Sequence, residues 1–161
     1  MRRFFLVVSI LMILILPSAI VLAGGPADKA IGCLTMAAPG GYIHRVSLNA
    51  REEDGIFASG RMIYTIFGPD NKIEQRLQYD IVYADISDNK AKLGVICTYD
   101  SLDLETGDWK IVGIRHYEPK AGTFGMAGPR TEAEVILFIT TPVVKFPAGY
   151  KPIAGNIKIL T

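Results

Sequence analysis

From Tyr42 to Arg51 the chain reads YIHRVSLNAR, and successive side chains alternate in character. Tyr42, His44, Val46, Leu48 and Ala50 share one side of an extended backbone. Arg45, Ser47, Asn49 and Arg51 share the other. A period of two belongs to a strand with one face buried and one face wet, the habit of antiparallel sheets. The same alternation returns at 90–100, where Ala91, Leu93, Val95, Cys97 and Tyr99 oppose Lys90, Lys92, Thr98 and Asp100.

Further runs rich in Ile, Val, Tyr and Thr fall at 58–68, 72–86, 109–118, 132–141 and 156–160. Turn chemistry separates them: EEDG at 52–55, GPDN at 68–71, SDNK at 87–90. Within 72–86 the apolar set moves from odd positions (Ile73, Leu77, Tyr79, Ile81, Tyr83) to even ones (Val82, Ala84, Ile86). A strand changes face only at a bulge or bend, so a kink is expected near Asp80–Asp85. No segment of 11 or more residues keeps a clean 3.6 period. The expected fold is all-β, a single antiparallel sandwich or small barrel of about seven or eight strands. In this reading 118–130 and 142–155 are long Gly/Pro loops, and 132–141 is an apolar strand.

The chain opens MRRFFLVVSILMILILPSAIVLAGG. Two arginines, an apolar run broken by Pro17, and a small residue at Ala23 match a secretory signal helix, residues 1–23. The alternative is a retained anchor, since residues 4–23 carry no charge and are long enough to cross a bilayer. Residues 24–41 then form an N-terminal extension and 42–161 one β-domain. The expected location is secreted or periplasmic, or membrane-anchored if the segment stays.

Lys plus Arg number 17 against 16 acids. Removing Arg2 and Arg3 with the signal leaves acids in slight excess, so the totals offer no basic stripe for nucleic acid. Membrane contact is expected only through a retained 4–23. The two cysteines, Cys33 and Cys97, are an even number in an exported chain and so a candidate disulfide. Closing about 64 residues would add about 4 kcal/mol. The alternative is two buried free thiols.

Asp100, Asp103, Glu105 and Asp108 crowd one stretch, CTYDSLDLETGDWK. Their spacing departs from a calcium loop, and Gly107 falls too late, so a solvated turn between strands is the better reading. His44 and His116 are the only histidines. They are the candidates for a hydrolase, the least favoured function. No nucleophile elbow, phosphate loop or dinucleotide fingerprint occurs, and no cofactor is expected. Tyr42, Tyr64, Tyr79 and Tyr83 either line a ligand cavity or fill a dry core. Phe124, Phe146 and Tyr150, in or beside the long loops, are the binding-loop candidates for a protein or cell-surface partner.

The order ISDNKAKLGVICT, GDWKIVGIRHYEPKAG, an apolar strand and a terminal IAGNIKIL covers roughly residues 85–160. It resembles a group of uncharacterised secreted bacterial β-domains that end in a GN-(I/V)-x-(I/V) strand. Where that group has an Asp-Asn-Gly-Glu loop this chain has RHYEPKAG. The resemblance implies a compact exported β-domain and brings no catalytic residues. The favoured function is therefore a non-enzymatic binding or structural module of the cell envelope or exterior. A small barrel carrying an apolar ligand is the second reading.

Overall fold

The computed structural model describes residues 27–117, 120–142, 145–149 and 152–161, without the side chains of 116, 117, 120 and 121. Residues 1–23, where a signal helix is expected, and Tyr150 lie outside the described residues. Eight strands run β1 Lys29–Ala37, β2 Ile43–Glu52, β3 Ala58–Phe67, β4 Ile73–Ser87, β5 Lys90–Asp100, β6 Trp109–Tyr117, β7 Lys120–Arg130 and β8 Pro152–Leu160. One helix, α1, spans Glu132–Thr140. All strands join one antiparallel sheet in the order β7-β6-β5-β4-β3-β2-β1-β8. The sheet curls into a half-barrel, and its outermost strands β7 and β8 approach each other. The sheet is barrel-like without being either the sandwich or the closed barrel expected: it is one curled sheet, with no second stacked sheet among the described residues.

Alternation decides which side chains fill the curl. Leu34, Met36, Val46, Leu48, Met62, Leu77, Tyr79, Leu93, Val95, Val112 and Ile157 are buried in one continuous cluster on the concave face. β4 contributes Leu77, Tyr79 and Ile81 up to a bulge, where Ile81 faces Val95 and Tyr83 faces Gly94. Val82 is the extra residue. Beyond it Ala84 and Ile86 point into the concave core while Tyr83 joins a cluster on the convex side. The kink expected at Asp80–Asp85 is this bulge.

Three expectations are corrected. Residues 132–141 do not extend a strand. Thr131 caps a helix, its hydroxyl accepting from Glu134 N while the Glu134 carboxylate accepts from Thr131 N, a reciprocal capping box. The buried residues are Val135, Phe138 and Ile139, at helical spacing, and Leu137, inward in a strand reading, is 65% exposed. Residues 120–130 are not a loop but the glycine-rich strand β7. A β-carbon on Gly125 would lie 2.2 Å from Pro147 O, so glycine there admits the 145–149 segment against the strand. The N-terminal extension contains β1, which pairs with both β2 and β8.

The disulfide is absent. Cys33 is exposed on the convex face of β1 and Cys97 is buried on the concave face of β5. Four strand spacings and opposite faces separate the two sulfurs, which no S–S bond can span.

Candidate functional site

Among the described residues, side chains pack the concave interior. Tyr79, Met36, Met62 and Leu93 are fully buried within it. Tyr64 points in and stacks on Phe124, ring centroids 6.2 Å apart. Tyr83 lies on the convex side, and Tyr42 is 38% exposed. The four tyrosines therefore share no common cavity.

The acidic stretch is a self-satisfied loop at one end of the curl. The Asp100 carboxylate accepts from the backbone N–H groups of Leu102, Leu104 and Glu105 and from Gln75 Nε2, all between 2.9 and 3.1 Å. Burial works to raise its pKa, but these bonds outweigh it and hold the group below its ordinary value. Tyr79 donates to Glu105 at 3.0 Å, and Lys110 reaches Glu105 at 3.3 Å and Asp108 at 3.7 Å. Burial and the adjacent Glu105 push the Tyr79 phenol far above its usual range. These carboxylates brace a loop. No group of three His, Cys, Asp or Glu converges for a metal among the described residues.

His44 Nδ1 lies 2.6 Å from Tyr64 Oη, and burial lowers its pKa. The side chain of His116 lies outside the described residues. Phe124 is 2% exposed and belongs to the core, not to a loop surface. Phe146 is half-buried, with the Arg115 guanidinium 4.4 Å from its ring centroid and Phe138 edge-on at 6.3 Å. It occupies the space over Gly113, where a β-carbon would lie 2.1 Å from the ring.

The convex face is divided. Over β4–β6 it is roofed by α1. Gly94 lets the helix sit down on the sheet, since a β-carbon there would lie 2.3 Å from Val135 Cγ1. Tyr83 donates to Glu132 at 2.5 Å and stacks on Trp109 at 5.8 Å. Lys92, 3% exposed, sends its ammonium to Ile139 O, Thr141 O and the Asp85 carboxylate, at 2.5, 3.0 and 2.5 Å. A cation at the C-terminal end of α1 is where the helix dipole favours it.

Over β8-β1-β2-β3 the convex face has no roof among the described residues. Register lays its side chains out in rows. One row crosses Lys29 and Arg51; the next, Lys158, Ile31, Asn49, Arg61 and Asp80. The third crosses Asn156, Cys33, Ser47, Ile63 and Gln78; the fourth, Thr35, Arg45, Thr65 and Arg76. A shallow groove of about 420 Å³ follows the middle rows, lined by Ile31, Gly32, Cys33, Ser47, Asn49, Arg61 and Ile63. Lys29, Arg45, Arg51, Arg61, Arg76 and Lys158 are all exposed around it. Of these six only Arg61 makes an ion pair among the described residues, a loose one at 3.6 Å to Asp80. Arg45 instead lies 5.2 Å over the Phe67 ring.

No family model, no curated protein and no solved structure matches the chain. The unroofed basic face is the feature that net charge concealed. Its clue was present in the outward set Arg45, Ser47, Asn49 and Arg51. What the sequence did not supply was register, which brings Lys29 and Lys158 beside that set.

Proposed function

We propose that the chain is an exported, non-enzymatic binding module of the cell envelope or exterior, working through the unroofed convex face of β8-β1-β2-β3. The observation that carries this reading is the contrast between used and unused polar groups. Inside the curl and under α1, charged side chains are tied to named partners: Asp100 to three backbone N–H groups, Lys92 to two carbonyls and Asp85, Lys110 to Glu105. On the unroofed face five cations have no ion-pair partner among the described residues. Long, hydrated, unpaired cations around a groove are groups that a ligand can engage at little structural cost.

The filled interior speaks for a module over a carrier of an apolar ligand, because ligand pockets are open spaces of about 300 Å³ or more within a wall. Among the described residues the hydrolase reading rests on the His44–Tyr64 contact, which also satisfies two polar groups at the edge of the core. Native mass spectrometry of the protein as exported by its producing cell tests this. The expected mass is that of the polypeptide alone. A stoichiometric apolar molecule retained through purification would replace this reading with the carrier.

A further inference from the structure

We infer that the unroofed face is a docking surface for an anionic lipid bilayer. This deepens the module reading and rests on it. Six cations, Lys29, Arg45, Arg51, Arg61, Arg76 and Lys158, surround the groove, against Glu74 and Asp80 at its β4 margin and Asp28 and Glu53 at the Lys29–Arg51 end. The whole chain carries nearly equal numbers of bases and acids, so this patch is a segregation of charge and not a consequence of composition.

Two further observations choose a bilayer over a soluble polyanion. Apolar groups lie among the cations. Ile31 is 41% exposed and Leu160 50% exposed, Ile63 lines the groove, and the Phe67 ring is half-buried beneath Arg45. Basic and apolar side chains mixed on one face suit the headgroup–acyl boundary, where cations meet phosphates and apolar groups enter the layer. The second observation is the point of attachment. The uncharged run 4–23 ends five residues before Asp28, which precedes Lys29 on the rim of the face. Five residues reach at most roughly 18 Å. If the run is retained, the Asp28–Lys29 rim of the basic face is held within that distance of its end. If it is removed, the same face supplies reversible adsorption.

The full chain can be tested in either state, because the reporter sits on the face itself. Cys33 is exposed at the centre of the patch and Cys97 is buried, so a small environment-sensitive fluorophore goes on Cys33 in the folded protein. The protein is mixed with, or reconstituted into, vesicles of phosphatidylcholine alone or of phosphatidylcholine with phosphatidylglycerol. The expected result is a blue shift and quenching by lipid-borne quenchers on the anionic vesicles only. About 1 M salt, where the screening length falls to about 3 Å, removes the response. The triple variant Arg45→Gln, Arg51→Gln, Arg61→Gln weakens it about 100-fold, about fivefold per cation. A label on helix α1, through Ala133→Cys in a Cys33→Ser background, stays silent. Equal responses on neutral and anionic vesicles overturn the inference, as does silence on both. A stronger response to heparin or duplex DNA than to anionic vesicles also overturns it and makes the face a polyanion site. None of these outcomes bears on whether the interior holds a ligand, so the module reading fails or survives separately by its mass measurement.

Discussion

The convex surface of this sheet comes in two halves built from the same kind of strand. Over β4–β6, outward positions hold Tyr83, Lys92, Gly94, Trp109 and Ile111, and a helix closes over them. Over β1–β3, outward positions hold Arg45, Ser47, Asn49, Arg51, Arg61 and Cys33, and nothing described closes over them. A lysine appears on both halves with opposite consequences. Lys92 is 3% exposed and answers three oxygens, whereas Lys29 is exposed at the sheet's rim. The difference teaches that alternation fixes which side chains point outward but not whether outward means wet. That is decided by a neighbouring element, here one capped helix of nine residues.

Placing the same bulk on each half should separate them most clearly. Gly94→Leu drives a side chain into Val135 and against Tyr83, whose Cβ lies 3.1 Å from the would-be β-carbon. A loss of about 3 kcal/mol, at the upper end for overpacking, is expected in urea unfolding, with loss of the Tyr83–Trp109 near-UV signal. Ser47→Leu, on the open half, should stay within about 0.5 kcal/mol of the parent. Equal costs would mean that α1 does not bear on Gly94.

Removing a cation comes next. Lys92→Met leaves the Asp85 carboxylate and the carbonyls of Ile139 and Thr141 without their donor. Because Asp85 is 41% exposed and water can reach it, the cost is expected near 2 kcal/mol, below that of a fully buried pair. Hydrogen exchange should rise across 132–141 first. Arg61→Met breaks a pair whose side chains are 61% and 46% exposed and should cost less than about 0.5 kcal/mol.

These contrasts also show where the sequence was legible. Strands β2 to β6 follow from clean alternation, and the β4 bulge from a change of phase. Helix α1 was hidden because VILFI is apolar at nearly every position and satisfies both periods over fewer than three turns. Leu137, exposed, and Phe138, buried, reverse a strand's parity and separate the two readings, and the Thr131–Glu134 cap was the cue for the helix. β7 was hidden because Gly125, Gly128 and Pro129 read as turn residues, whereas Gly125 and Gly128 here make room for neighbouring chain. The disulfide failed on parity. Once 29–37 is a strand with Ala30, Leu34 and Met36 inward, Cys33 must point out, while Cys97 points in. The basic face needed register, which joins residues more than a hundred positions apart and is written in no local pattern.

Acid should erode the loop that Asp100 braces. The Asp100 carboxylate is held below its ordinary 3.8 by bonds made only in the fold. Its contribution is therefore complete above the unfolded value and is lost as pH falls through the folded one. Asp100→Asn should cost about 1–2 kcal/mol at neutral pH, since backbone donors lose a charged acceptor. The gap between parent and variant should then narrow as pH falls below about 4. A gap that stays constant with pH would mean that the charge of Asp100 is not what braces the loop.

The smallest effect on stability should come from the largest change in charge. Arg45→Gln, Arg51→Gln and Arg61→Gln together remove three cations from one face, yet only the loose Arg61–Asp80 pair and the Arg45–Phe67 stack are lost. Exposed pairs contribute about 0–1 kcal/mol, and relief of mutual repulsion among neighbouring cations offsets part of that. The urea midpoint should therefore stay within error of the parent, with the slope unchanged, because no buried surface is disturbed. A large drop would show that these arginines hold the sheet together as Lys92 holds the helix. An unchanged midpoint leaves them as groups that the fold does not need, the condition under which a basic surface is free to serve a ligand.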